Sequence, residues 1–288
     1  MLPSLGQLPS LQHLEISKFE RLPIVGAEFY RNDESCLETP FPMLETLRFQ
    51  SMPCWEEWRS LELNSFPRLR ELIIRDCSML RGDLPNQLPS LRSLRIENCE
   101  QLSCCVPRGP AITSLRIEGS NEVRIEELPP LLDKLSINGK HQAESIIYPQ
   151  RSLRSLTISY CEKQLSCVAL LFHGLTHLYI EGECESVKCL PKEGWLPATL
   201  EYLRLDSIKS VEMLECKGLA HLTSLQQLSI HFCYNLENID GEKLPASLLR
   251  LTIYGSPLLG KRCEMKDPQV WPKISHIPAI YVDKRWIW

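Results

Sequence analysis

Apolar residues return along the chain as a spaced triplet, Leu-x-x-Leu-x-Leu, with Ile often in the last place. The triplet opens at Leu11/Leu14/Ile16 and Leu44/Leu47/Phe49. It recurs at Leu69/Leu72/Ile74, Leu91/Leu94/Ile96, Ile112/Leu115/Ile117, Leu132/Leu135/Ile137, Leu153/Leu156/Ile158, Leu175/Leu178/Ile180, Leu200/Leu203/Leu205, Leu225/Leu228/Ile230 and Leu248/Leu251/Ile253. Its closing Leu-x-Leu places two side chains on one face of a short strand and points the intervening residue the other way. A single strand of this kind cannot bury its leucines, so the recurrence predicts stacked units that donate them to a continuous core along a parallel ladder. From Leu44 the step is about 20 to 25 residues, the spacing of a leucine-rich repeat.

Past the strand, Cys recurs: Cys77 follows Ile74, Cys99 follows Ile96, Cys161 follows Ile158 and Cys233 follows Ile230. A thiol at this position is expected to pack against turn backbone rather than to do redox or metal chemistry. The return paths are short and often contain Leu-Pro, as at Leu84-Pro85, Leu190-Pro191 and Leu244-Pro245, which leaves little room for a full helix. The predicted fold is α/β: a leucine-rich-repeat solenoid, horseshoe or right-handed superhelix, with short parallel strands on the concave face. Its convex segments are expected to be irregular or 3₁₀. Residues 1–260 read as about eleven repeats and 261–288 as a C-terminal capping tail, with the period broken at 18–43 and 51–66.

Composition sharpens this picture. Leu accounts for 48 of 288 residues, about one in six, and 32 basic against 36 acidic side chains leave a formal charge of -4. Such a balance lacks the positive field that holds nucleic acid or anionic lipid, and no apolar run of about 18 residues is present to span a bilayer. The opening residues have no basic segment before an apolar one, so no signal peptide is expected. The 13 cysteines form no Cys-x-x-Cys pair, and no Asn-x-Ser/Thr site occurs, which favours reduced thiols and a cytoplasmic location.

Catalytic signals are weak. Gly255 to Lys261 fits the Gly-x-x-x-x-Gly-Lys skeleton of a phosphate loop, but Arg262 stands where Ser or Thr would hold magnesium and Pro257 removes an amide. No helix is predicted to follow it, so no nucleotide site is expected. The seven histidines fall in different repeats and are expected in solvated or turn positions, with His173 and His177 flanking a strand. No enzyme activity, metal or other cofactor is expected.

What remains is a surface. The central outward residues of successive strands read Glu15, Arg48, Ile73, Arg95, Arg116, Ser136, Thr157, Tyr179, Arg204, Ser229 and Thr252, and those two places further on include Arg75, Glu97, Glu118, Glu181, Asp206, His231 and Tyr254. Stacking sets equivalent residues about 5 Å apart, so Arg95 and Arg116 are expected beside Glu97 and Glu118 in crossed charge columns. Toward the C-terminus follow Tyr179, Tyr202, Arg204, His231 and Tyr254. These nine residues form the candidate protein-binding face, since Arg and Tyr are enriched at binding hot spots. The alternative is that the columns are an ordinary polar face that pairs with itself.

Several segments resemble one family, the leucine-rich-repeat region of plant coiled-coil-type nucleotide-binding leucine-rich-repeat disease-resistance proteins. They are Leu2-Pro-Ser-Leu-Gly-Gln-Leu-Pro-Ser-Leu11 with Val25-Gly-Ala-Glu-Phe-Tyr30, and Phe41-Pro-Met-Leu44 through Trp55-Glu-Glu-Trp58. The Leu-x-x-Leu-x-Ile-x-x-Cys-x-x-Leu units and Trp271-Pro-Lys-Ile-Ser-His-Ile-Pro278 complete the set. The resemblance implies recognition of a pathogen effector or a guarded host protein, and restraint of the receptor's own nucleotide-binding domain. No coiled coil or nucleotide-domain motif is present and Met1 falls inside a repeat, so a receptor fragment or truncated gene is expected. The alternative is a stand-alone adaptor, for example one binding substrates for a ubiquitin ligase.

Overall fold

The computed structural model describes residues 2–31, 39–59, 65–107, 109–120, 122–138, 150–159, 162–182 and 187–288. The chain forms two compact units, Met1–Ile146 and Ile147–Trp288. Each is a leucine-rich-repeat solenoid whose main ladder is built from the predicted triplets.

Unit 1 contains β1 (His13–Ser17), β3 (Thr46–Gln50), β5 (Glu71–Arg75), β6 (Ser93–Glu97), β7 (Ser114–Glu118) and β8 (Lys134–Asn138), paired in that order and all parallel. Register is unbroken: Leu47, Leu72, Leu94, Leu115 and Leu135 stand side by side and are all buried. A slip of one residue would turn every one of them to solvent, and that cost sets the register.

The described residues of the two period breaks at 18–43 and 51–66 supply an aromatic core that packs with Phe49 of β3. Phe29, Tyr30, Phe41, Phe49, Trp55 and Phe66 are fully buried, with ring centres as close as 4.5 Å for Phe49 and Trp55. The buried Trp58 indole donates to the Tyr30 hydroxyl at 2.8 Å, so neither polar group is stranded. Here β2 (Ile24–Val25) pairs with β4 (Glu57–Trp58) on the return side.

Unit 2 repeats the scheme with β9 (Ser155–Ser159), β10 (His177–Glu181), β12 (Tyr202–Asp206), β14 (Gln227–His231) and β16 (Arg250–Tyr254). Its return side carries a second parallel sheet of β11 (Cys189–Leu190), β13 (Met213–Glu215) and β15 (Asn238–Asp240). The return paths were expected to be mostly irregular or 3₁₀, and helix is scarce among their described residues. The sheet forms because stacked returns of like length bring their extended segments to hydrogen-bonding distance, and the returns also hold helices α1 (Glu162–Leu171) and α2 (Cys216–Leu219).

Two further expectations change near the C-terminus. Helix α3 (Pro257–Glu264) forms inside the Gly-x-x-x-x-Gly-Lys stretch and crosses the 260/261 boundary. Pro257 stands in its first turn, where a missing N–H has no partner to lose. The repeats also do not stop at Ile253. After helix α4 (Trp271–Ile274), β17 (Ala279–Val282) pairs in parallel with β16, and Ile277, Ile280 and Val282 occupy the three apolar places of the triplet, all buried. Strand β18 (Arg285–Trp286) then turns back antiparallel on β17. Asp283 and Lys284 make the turn with φ of 46° and 69°, the two left-handed residues that a tight hairpin of this twist requires. The last six residues, without an evident role in the sequence, are thus a hairpin along the ladder's edge.

One backbone feature recurs without a sequence signature. The residue after most main strands is left-handed: Ser51, Asp76, Asn98, Gly119, Ser207, Phe232 and Gly255 all have φ between 52° and 61°. Its N–H extends the ladder, as from Asp76 to the Glu97 carbonyl at 2.9 Å and from Phe232 to the Tyr254 carbonyl at 2.8 Å. At Gly255 a side chain would also meet the Phe232 ring, with a Cβ 2.6 Å from its Cδ1. The thiols follow directly. Cys77, Cys99 and Cys233 are buried, and each Sγ–H points to the carbonyl two residues back at 3.3 to 3.4 Å. Ser120 and Ser256 occupy the same place in their own repeats, and their hydroxyls accept from the N–H of Cys99 and Cys233 at 3.0 Å. Burial pushes the Cys233 thiol up to about 11. Cys161 lies outside the described residues.

Candidate recognition face

The outward columns form in the predicted register. Arg48, Ile73, Arg95, Arg116 and Ser136 stand side by side across unit 1, as do Gln50, Arg75, Glu97, Glu118 and Asn138. In unit 2, Thr157, Tyr179, Arg204, Ser229, Thr252 and Tyr281 form one column, and Ser159, Glu181, Asp206, His231 and Tyr254 the next.

In unit 1 the face is a ladder of ion pairs. Arg75 meets Glu97 at 2.6 Å, and Arg116 spans Glu97 at 3.0 Å and Glu118 at 2.8 Å. The Ser136 hydroxyl donates to the second oxygen of Glu118 at 2.7 Å, and Arg48 reaches Glu71 at 3.0 Å one strand earlier. Glu97 sits at the centre with its side chain only 11% exposed, where two guanidinium groups offset its desolvation. Arg95 departs from the expected crossed columns. It lies between Ile73 and Arg116 in register, and among the described residues it makes no ion pair. Arg75, which the nine candidates omit, takes that place by pairing with Glu97, its neighbour in register on β6.

In unit 2 the face is aromatic. Tyr202 lies between His177, stacked at 5.8 Å, and Tyr179 at 5.3 Å, and its hydroxyl donates to Ser229 Oγ at 3.2 Å. His177, expected to be merely solvated, opens β10 in the same column as Tyr202, which is why the two rings meet. Arg204 donates through Nε to Asp206 at 3.0 Å and pairs with it through a second nitrogen. Burial works against the Arg204 charge, but the hydrogen bond and charge of Asp206 outweigh it and hold the guanidinium above its ordinary value. His231 packs edge-on to Tyr254 at 5.9 Å. Burial first, then the Arg204 charge, draws the imidazole below its ordinary value. Burial, followed by the neighbouring Tyr202, raises the Tyr179 phenol.

All nine candidate residues therefore lie on outward positions of the ladders, in two groups of opposite chemistry. Glu97, Arg116 and Glu118 interlock in unit 1; Tyr179 with Tyr202, Arg204 with its partner Asp206, and His231 with Tyr254 cluster in unit 2. Spacing missed His177, Arg250, Tyr281 and Lys284. The first strand position was counted as outward only at Tyr202, and Tyr281 belongs to a strand whose triplet contains no Leu. Among the described residues, no group of three or more His, Cys, Asp or Glu side chains is placed to hold a metal ion, and no helix is long and apolar enough to cross a membrane.

No family model matches the chain. It is 45% identical over 211 residues to the Arabidopsis thaliana protein named disease resistance RPP13-like protein 1, a match covering 69% of this chain and 19% of that protein. A second Arabidopsis thaliana protein, disease resistance protein At3g14460, is 43% identical over 100 residues, covering 34% of this chain and 7% of its own length. Disease resistance protein RF45 from the same plant is 29% identical over 232 residues, covering 73% of this chain and 21% of its own length. The chain thus spans about a fifth of the first relative.

Proposed function

We propose that this chain is the leucine-rich-repeat part of a plant intracellular immune receptor, acting in defence by protein recognition and by restraint of the receptor's nucleotide-binding domain. The observation that carries this reading is the 45% identity to a disease resistance protein over 211 residues, all within a chain that folds as repeats. The aromatic and Arg-rich outward face of unit 2 supports recognition: its rings are fixed by stacking, so little side-chain entropy is lost when a partner covers them. On this reading the chain binds protein without catalysis in the cytoplasm, and its partner is a pathogen effector or a guarded host protein.

The test starts with the transcript across the 5′ side of the Met1 codon. An in-frame coiled-coil and nucleotide-binding region is expected there. Expressed in leaves, that region should trigger cell death that co-expression of this chain suppresses, and the two should co-precipitate. A transcript without that region, or a region the chain neither binds nor restrains, would remove the autoinhibitory role.

A further inference from the structure

The outward tyrosines of the last strands carry cations on their rings. The Arg250 guanidinium lies 5.7 Å from the Tyr281 ring centre, and the Lys284 ammonium 5.3 Å from that of Tyr254. Arg250 opens β16, Lys284 sits in the hairpin turn, and Arg285 and Trp286 follow on β18. Trp286 stands directly opposite Tyr281, and opposed residues of an antiparallel pair share a face. Its side of the hairpin borders a recess lined by Pro278, Trp286, Ile287 and Trp288, and Trp286 is 70% exposed.

These cations differ from four of the five other outward arginines, Arg95 alone sharing their lack of a carboxylate among the described residues. Arg48, Arg75, Arg116 and Arg204 each meet a carboxylate. Among the described residues, Arg250, Lys284 and Arg285 meet none, although all three are exposed. Asp283, adjacent in sequence, instead accepts the Gly255 N–H at 2.8 Å. A ring face attracts a cation without neutralising it and leaves its N–H donors unused. Charge accumulates accordingly: residues 261–288 hold six Lys and Arg against three Asp and Glu, in a chain whose net charge is negative.

We infer that the outward surface of β16 to β18 docks an acidic protein segment. Its carboxylates pair with Arg250 and with Lys284 or Arg285, and one apolar side chain packs against Trp286 at the recess. The inference rests on the proposed role in protein recognition and names the chemistry of the partner. An acidic peptide fits better than an anionic membrane because the cations are held in register on strands, at spacings a strand-like segment can match, and are too few for stable lipid anchoring.

The probe is a fluorescein-labelled random copolymer of glutamate and tyrosine, titrated into the 288-residue chain and followed by anisotropy. Phosphatidylserine vesicles and polylysine serve as comparisons. Saturable copolymer binding that weakens with salt is expected. The double substitution Arg250→Gln with Lys284→Gln should weaken it at least about tenfold, whereas Lys217→Gln with Lys243→Gln, outside the outward columns, should not. Both pairs are exposed, so melting curves should be unchanged. Absence of copolymer binding, equal loss from the two pairs, or binding to vesicles but not to copolymer would overturn the inference. The same variants separate it from the wider reading when assayed against the effector or guarded protein. If partner binding survives the Arg250 and Lys284 changes but is lost with Tyr179→Ala and Arg204→Ala, the acidic docking surface falls and recognition stands. If neither set affects partner binding, both fall.

Discussion

The two units use aromatic residues in opposite ways. Unit 1 buries them, packing Phe29, Tyr30, Phe41, Phe49, Trp55, Trp58 and Phe66 under its first strands, and faces outward with a ladder of ion pairs. Unit 2 fills its core mainly with Leu and Ile and sends its rings outward, from His177 and Tyr179 to Tyr281 and Trp286. Each arrangement sits on a parallel ladder of its own unit, built on the same pattern of inward leucines. The scaffold is therefore indifferent to what occupies the outward columns, and the columns are free to carry recognition. Satisfied charges offer a partner little, since each must first be parted from its neighbour; stacked rings with half-exposed faces need no such exchange.

The sharpest way to break this comparison is to truncate one ring from each unit. Phe49→Ala empties a fully buried site and should cost about 3 to 5 kcal/mol of stability. Tyr179→Ala removes a half-exposed ring and should cost under about 1 kcal/mol while abolishing partner binding. Denaturant unfolding read alongside a binding assay decides the matter, and comparable stability losses would erase the distinction.

Interior chemistry should not distinguish the units. With the Cys233 thiol pushed up to about 11 and Cys263 to about 12, both by burial above all, little thiolate exists at pH 8. Alkylation of Cys99, Cys233 and Cys263, and of Cys77 through its burial alone since the hydrogen bond with Cys99 draws its thiol below the ordinary value, should be at least about a hundredfold slower than that of exposed Cys54 until denaturant is added. Fast native labelling of any of these four, mapped by mass spectrometry, would contradict the packing role.

A smaller effect probes the ion-pair ladder. Glu97→Gln leaves Arg75 and Arg116 without their shared carboxylate and should destabilise unit 1 by about 1 to 2 kcal/mol. The loss should shrink little in high salt, because Glu97 is mostly shielded from solvent. Asp206→Asn in unit 2 removes the carboxylate of a single arginine and should cost less. The reverse order would mean that the paired face of unit 1 is not a structural device.

The smallest effect is the pH response of His231. Its folded value lies below the ordinary one near 6.5, so as pH falls the unfolded chain takes up the proton first. Stability attributable to His231 should be complete above that value, decline as pH drops through the window beneath it, and level off once the folded imidazole is also protonated. Comparing the parent with His231→Asn between pH 7 and 5 isolates this contribution. A stability difference that grew in the parent's favour as pH fell would reverse the assignment.

Much of this organisation is legible in the sequence. All eleven Leu-x-x-Leu-x-Leu triplets became strands, in the expected register within each unit, because one strand cannot bury its own leucines and any slip exposes them. The outward identity of Arg116, Glu97, Tyr179 and Arg204 followed from the same alternation. What the residues do to one another did not follow. Arg116 bridges two carboxylates while its neighbour Arg95 bridges none, since side-chain reach and direction, not column membership, decide pairing. The left-handed residue after most strands is Ser, Asp, Asn, Gly or Phe by turns, a backbone requirement imposed by stacking. The last parallel rung of unit 2 was hidden by Ile277, Ile280 and Val282 in place of Leu, and α3 by a phosphate-loop skeleton that folds as helix. Short-range pattern determines which face of each strand is buried, because that choice repeats with period two. Partnership across strands joins residues 18 or more positions apart in the pairs described, and only the stacked structure brings them within reach.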